Sequence, residues 1–76
     1  MTEEKWRELF GFNLKNHLKD ARMTQEELAE EMGVAQSAIS DYVNGRKLPG
    51  VRSILNMAYA LSCDTDDLID FGEMID

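Results

Sequence analysis

Hydrophobic side chains recur every three or four residues through most of the chain, which is the spacing of one face of an α-helix. The first such run predicts a helix over about residues 3–21, with Thr2 as its N-cap. Glu3 and Glu4 favour this start, because negative charge stabilises the positive end of the helix dipole. The side chains expected on the apolar face of this helix are Trp6, Leu9, Phe10, Leu14, Leu18 and Ala21.

Two short helices follow, separated by a tight turn. Thr24 and Glu27 have the Thr-x-x-Glu spacing of a capping box, which marks the start of the second helix. Gly33 is expected to end that helix, because glycine readily adopts the left-handed conformation found just after a helix. A third helix is predicted over about residues 35–43, where an Asn-Gly turn pair follows it.

The rest of the chain predicts two more helices and a short tail. After a loop that contains the only proline, Pro49, a fourth helix is expected over about residues 51–61. Asp64 is a good N-cap for a short fifth helix. The side chains expected to face inward are Ile54, Leu55, Ala58, Leu61, Leu68 and Ile69. This organisation predicts an all-α fold with a single domain spanning residues 1–76, of which residues 70–76 form a frayed acidic tail.

The second and third helices together have the spacing of a helix-turn-helix. Their connection at Gly33 and Val34 is too short for the helices to lie flat against each other, so they must cross steeply. Ala29 is expected to be small because the third helix approaches it closely. The apolar residues predicted between these helices and the rest of the core are Met32, Val34, Ile39 and Tyr42.

The outer face of the third helix has the most informative chemistry. Ala35, Ile39, Tyr42 and Val43 are predicted to point inward. The residues left on the outer face are Gln36, Ser37, Ser40, Asp41 and Asn44. A Gln side chain can make two hydrogen bonds with adenine, Ser can bond a base edge or a phosphate, and Asp can accept from cytosine N4. These residue types therefore favour contact with DNA over a plain solvated face.

The charge distribution limits which part of the chain could meet DNA. The formal net charge is −7, although phosphate contacts need Lys and Arg. Residues 33–58 hold three basic residues and one acidic residue, whereas residues 59–76 hold six acidic residues and no basic one. We therefore expect polar, amide-led recognition by the middle of the chain, with Arg46 and Lys47 beside the third helix, on an acidic body.

Other site chemistries find little support in the residue types. One cysteine, Cys63, and one histidine, His17, cannot form an internal disulfide, a standard metal set or a nucleophile–base–orienter arrangement. We therefore expect no cofactor, no metal and no enzymatic activity, and we expect Cys63 to be a core residue. A lone thiol, with no signal-peptide core and no apolar stretch of membrane-spanning length, predicts a soluble cytoplasmic protein.

Residues 24–69 resemble the Cro/CI-type (XRE) helix-turn-helix family of transcriptional regulators. Their sequence is TQEELAEEMGVAQSAISDYVNGRKLPGVRSILNMAYALSCDTDDLI. The matching features are T-Q-x-E-L-A, Gly33, Ile39-Ser40, N-G-R-K, Leu48-Pro49, and A-x-A-L before D-x-L-I. Phe10, Leu14 and Leu18 also fit the first helix of that family, so the resemblance extends over about residues 9–69. It implies a five-helix, lambda-repressor-like bundle whose third helix enters the major groove of DNA.

The resemblance also implies a role for each matching residue. Gln25 would begin the second helix and bond a phosphate, and Asn44 would bind the DNA backbone. The third-helix residues would face base edges or nearby phosphates. Ala35 stands where the family usually has a capping Ser or Thr, so the third helix should lack a side-chain cap. The candidate DNA-binding residues are Gln25, Gln36, Ser37, Ser40, Asp41, Asn44, Arg46 and Lys47.

Together these features predict a sequence-specific DNA-binding transcriptional regulator of the phage or prophage repressor type. One module of this size reads only a few base pairs, so we expect a homodimer on an inverted-repeat operator with half-sites roughly 34 Å apart. The fourth and fifth helices and the tail are the candidate dimer surfaces. An alternative keeps the fold but makes the chain an antitoxin or another protein-interaction module, whose acidic end masks a basic toxin partner.

Overall fold

A computed structural model describes residues 2–70 of the chain, which form five α-helices and no strand. The helices are α1 (Glu3–Asp20), α2 (Gln25–Met32), α3 (Gln36–Val43), α4 (Val51–Ala60) and α5 (Thr65–Ile69). The predicted all-α class and the order of the five helices are confirmed. The tail predicted at residues 70–76 lies outside the described residues from position 71 onwards.

The helices begin and end where short-range signals in the sequence predict. The Thr2 hydroxyl oxygen accepts a hydrogen bond from the Lys5 backbone N–H at 3.1 Å, which caps α1. Thr24 and Glu27 form the predicted capping box, with reciprocal side-chain-to-backbone hydrogen bonds of 3.0 and 2.9 Å. Gly33 ends α2 in the left-handed conformation, at φ 68°. These bonds satisfy backbone groups that a helix end would otherwise leave without a partner.

All five helices contribute to one hydrophobic core. Helix α1 packs against α3 and α5, α2 packs against α3 and α4, and α4 packs against α5. The buried side chains are Phe10, Leu14, Leu18, Leu28, Ala29, Ile39, Met57, Ala58, Leu61 and Leu68. The α2–α3 pair is therefore held from both sides, by α1 behind α3 and by α4 behind α2.

The inward face of α4 differs from the one predicted. Met57, Ala58 and Leu61 are buried and Ile54 is half-buried, which is the three- and four-residue spacing of a single helix face. Leu55 was predicted to face inward, but 55% of its surface is exposed. The prediction was wrong because α4 is apolar on two faces, and the pattern alone does not say which face meets the core.

Other inward predictions were wrong at the ends of helices. Ala21 and Ala35 are exposed because they are the C-cap of α1 and the N-cap of α3, where the chain leaves the helical path. Val34 is exposed in the α2–α3 turn, and Ile69 is exposed at the last position of α5. Only Leu68 of α5 reaches the core, because a helix of five residues has a single inward position.

Gly11 allows α1 to approach the C-terminal end of α3 closely. A Cβ atom at Gly11 would lie 2.6 Å from the carbonyl oxygen of Val43 and 2.8 Å from that of Tyr42. Both of these are backbone atoms, which cannot rotate away as a flexible side chain could. The packing of α3 on α1 therefore requires a residue without a side chain at position 11.

Replacing Gly11 with alanine tests this close approach. Alanine in a helix interior gains roughly 0.5–1 kcal/mol over glycine, whereas forcing atoms into a packed contact costs about 1–3 kcal/mol. We therefore expect Gly11→Ala to lower the free energy of unfolding, measured by urea denaturation. Asn16→Ala is the control, because Asn16 is exposed on the same helix and this change should be neutral or slightly stabilising. A stability gain in both variants would contradict the close packing of α1 and α3.

Candidate nucleic-acid interface

The α2–α3 unit exposes one face of α3 to solvent. Ala29 is buried where α3 packs on α2, as predicted from its small size, and its carbonyl oxygen accepts from the Val34 backbone N–H at 3.0 Å. Within α3, Ile39 is fully buried, and Tyr42 and Val43 pack against the core as predicted. The inner side of α3 is therefore apolar and fixed, and its other side is left for contacts outside the chain.

The outer side of α3 contains the polar residues that the sequence placed there. Gln36 and Ser37 are exposed in the first turn, and Ser40 and Asp41 are half-buried in the second. Asn44 is exposed and forms the C-cap. The structure thus brings five of the predicted DNA-binding residues onto one surface, and Arg46 and Lys47 follow in the chain after Gly45.

Asn44 links the end of α3 to its outer face. Its side-chain Nδ2 donates to the Ser40 carbonyl oxygen at 2.9 Å and lies 3.2 Å from the Ser40 hydroxyl. The Asn44 backbone N–H also donates to the Ser40 carbonyl, at 2.9 Å. These bonds cap the C-terminal end of α3. They also hold the side-chain amide of Asn44 next to the hydroxyl of Ser40.

Asp41 is paired with both cations of the following loop. Its Oδ1 accepts from Arg46 Nη1 at 3.0 Å, and its Oδ2 lies 3.6 Å from Lys47 Nζ. The Asp41 side chain is 26% exposed, whereas those of Arg46 and Lys47 are 60% and 70% exposed. The carboxylate predicted to contact a DNA base is thus paired within the protein, with two cationic side chains that are mostly exposed.

Gln25 stands on the neighbouring helix, at the first position of α2. It is half-buried and directly follows the Thr24 cap. The start of a helix has backbone N–H groups without intrahelical partners, and these favour an anion such as phosphate. The position is suited to the predicted phosphate contact, which stays a prediction.

Arg7 on α1 holds the loop after α3, a role that was not predicted from the sequence. Its Nε donates to the Gly45 carbonyl oxygen at 3.1 Å, and its Nη1 pairs with Glu3 at 2.8 Å. Gly45 has a left-handed backbone, at φ 72°, where an L side chain would be strained. The contact lies beside Asn44 and Arg46 and fixes the backbone between them. The one sequence signal that α1 packs closely against another element was Gly11, an isolated glycine inside a helical pattern.

The other chemistries considered are metal binding, membrane crossing and the reactivity of the lone thiol. No group of three or more His, Cys, Asp or Glu side chains within residues 2–70 is arranged to hold a metal ion. Each helix within residues 2–70 is too short or too polar to span a bilayer. Cys63 packs partly against the core, and burial raises the pKa of its thiol, with the charges of Asp67 and Asp64 acting in the same direction. The thiol is therefore protonated at neutral pH and poorly nucleophilic.

The fold and the exposed polar face define a helix-turn-helix protein. The HTH_3 helix-turn-helix family matches residues 14–68, which is most of the chain and includes all of α2, α3 and α4. The chain belongs to this family, and the predicted relationship to the XRE-type regulators is confirmed.

Two relatives are named as a transcriptional regulator and as a phage control-region protein. The chain is 28% identical over 61 residues to the uncharacterised HTH-type transcriptional regulator YqaE of Bacillus subtilis, covering 80% of this chain and 53% of the relative. It is 29% identical over 58 residues to the ImmF control region 10 kDa protein of Bacillus phage phi105, covering 76% and 64%. The chain therefore spans less than two thirds of the length of either relative.

A solved structure with the same fold is the restriction-modification controller protein C.AhdI of Aeromonas hydrophila. Its TM-score is 0.78 at 26% identity, over 82% of this chain and 94% of that protein. The fold of this chain thus matches nearly the whole length of that controller protein.

A side-chain cap at the start of α3 should stabilise the folded protein. Ala35 is the N-cap of α3 and makes no side-chain cap hydrogen bond, as predicted. Ala35→Ser should raise the free energy of unfolding by about 1 kcal/mol, and the melting temperature by roughly 4–8 °C for a domain of this size. Gly50→Ser, at the uncapped start of α4, is the matched control and should change stability by only a few tenths of a kcal/mol. Equal melting temperatures for Ala35→Ser and the unmodified protein would show that α3 does not begin at this residue.

Proposed function

We propose that the chain is a sequence-specific DNA-binding transcriptional regulator that recognises its operator through the outer face of α3. The observation that supports this most is the grouping of Gln36, Ser37, Ser40 and Asn44 on one exposed face. These side chains can bond base edges, and the two cations that follow are placed for phosphate contacts. The proposed activity is binding and not catalysis, in keeping with the regulators that share the family and the fold.

The phage or prophage repressor type is the form of regulator we favour. Its support is the similarity to a control-region protein of a Bacillus phage, which extends over three quarters of this chain. In this proposal Gln25 and Asn44 bind the DNA backbone, and Gln36, Ser37 and Ser40 contact base edges or nearby phosphates.

We also propose that the regulator binds as a homodimer on an inverted repeat. Val51, Leu55 and Tyr59 follow one another at four-residue steps along α4 and are 75%, 55% and 88% exposed. Such a row of exposed apolar side chains is typical of an interaction surface. A second copy is the occupant we favour, because a twofold interface uses the same patch on both partners and would supply the second recognition helix that a small module needs.

The antitoxin alternative uses the same observation differently. In that case the α4 row and the acids of the α5 region, Asp64, Asp66 and Asp67, would bind a basic protein partner. DNA selection separates the two proposals, because an interaction module has no need for a preferred sequence.

The first test is selection of binding sites from random duplex DNA at low salt. We expect an inverted repeat to be enriched. Gln36→Ala should relax the preference at one base-pair position in each half-site, a loss of about 1–3 kcal/mol of discrimination. The Arg46→Ala/Lys47→Ala double variant should instead weaken binding to all sequences alike and reduce the salt slope of log K by about 1 to 2.

The matched control for Gln36→Ala is Asn16→Ala, which also removes an exposed amide but on α1. It should leave the enriched site unchanged. If no sequence is enriched at low salt, the regulator proposal is wrong and the interaction module takes its place.

The second test concerns the α4 row. Leu55→Glu should shift the protein to monomer in sedimentation equilibrium and weaken operator binding, because it puts a charge in the proposed apolar contact. Asn16→Glu adds the same charge elsewhere on the surface and should leave the association state unchanged. A wild-type protein that stays monomeric both free and on a two-half-site operator would contradict the homodimer.

A further inference from the structure

The one acid on the candidate DNA-binding face of α3 is bonded to the two cations that the DNA backbone would need. Asp41 accepts from Arg46 at 3.0 Å through one carboxylate oxygen and pairs with Lys47 at 3.6 Å through the other. The three residues together have a net charge of +1, where the two cations alone would have +2. Arg46 and Lys47 are among the few basic residues near α3. Their pairing with Asp41 therefore removes a large share of the positive charge that this surface could offer to DNA.

We infer that Asp41 competes with DNA phosphate for Arg46 and Lys47 and thereby limits the affinity for DNA of any sequence. The inference rests on the proposed DNA-binding function and assigns Asp41 a different role from the predicted contact with a base. To bind phosphate, the two cations exchange the carboxylate of Asp41 for the phosphate oxygens. The carboxylate is then left with solvent and counterions.

The strength of these pairs allows such an exchange. Ion pairs whose cations are mostly exposed are typically weak, because solvent screens the charges. The phosphate backbone of duplex DNA presents a much denser row of negative charge, and its binding is favoured by the release of condensed counterions. Asp41 therefore weakens DNA binding without preventing it.

The geometry fits less well with a role in which Asp41 only holds the loop in place. The loop backbone is already fixed without the carboxylate, by the Arg46 N–H bond to the Asp41 carbonyl oxygen at 2.9 Å and by the Arg7 bond to Gly45 at 3.1 Å. Lys47 stands 3.6 Å from the carboxylate and is 70% exposed, so the pairing does not fix its position. Removing the carboxylate charge should therefore free both cations and leave the loop in place.

The test compares Asp41→Asn with Asp66→Asn by fluorescence anisotropy on a labelled duplex of scrambled sequence and on the selected operator. Asp66 is exposed on α5, which packs on α1 and α4, so its change adds the same charge away from α3. We expect Asp41→Asn to bind the scrambled duplex about three- to tenfold more tightly than Asp66→Asn. The salt slope of log K should be steeper by up to about 1, because no carboxylate takes up a counterion on binding.

A double-mutant cycle then shows whether the effect passes through the two cations. In the Arg46→Ala/Lys47→Ala background, Asp41→Asn should give less than half of its gain in affinity. An equal gain in that background would overturn the inference, since Asp41 would then act by repelling phosphate directly. Weaker binding by Asp41→Asn, or binding equal to that of Asp66→Asn, would also overturn it while leaving the proposed function intact. If the unmodified protein binds neither duplex at low salt, the proposed function itself fails.

Discussion

The position of α3 depends on its close approach to α1. Gly11 leaves room for the last carbonyl groups of α3, which would lie within 2.8 Å of a side chain at that position. Four residues earlier on α1, Arg7 bonds the backbone of Gly45 in the loop that follows α3. Helix α1 thus fixes both the end of the candidate recognition helix and the start of the cationic loop, although we assign it no DNA contact. The outer face of α3 can stay polar because Ile39 on its inner face supplies the buried anchor.

Most of the fold could be predicted because its signals are local. The capping box at Thr24 and the left-handed Gly33 each depend on residues a few positions apart, and both formed as expected. The errors came where tertiary packing chooses between equivalent patterns. Helix α4 has two apolar faces, and only the position of its neighbours decides that Met57 is buried and Leu55 exposed. Sequence periodicity contains no information about that choice.

The candidate site was predictable in its residue types but not in its internal bonds. The outer face of α3 follows from helical geometry, so Gln36, Ser37 and Ser40 could be placed on it from the sequence. The pairing of Asp41 with Arg46 and Lys47 depends on the direction of the loop after Gly45. Gly45 has a left-handed backbone, and the sequence alone does not determine the path that the chain takes from such a residue. The contact made by Arg7 spans 38 positions of the chain, and no local rule pairs residues over that distance.

In the proposed complex, DNA contacts the outer face of α3 and the loop after it. Titration of ¹⁵N-labelled protein with the selected operator duplex, followed by backbone amide NMR, tests this most directly. If DNA binds this surface, the largest amide shift changes should fall at Gln36, Ser37, Ser40 and residues 44–47, with smaller ones at Gln25. Bound DNA that leaves the α3 amides unchanged while shifting those of α5 would contradict it.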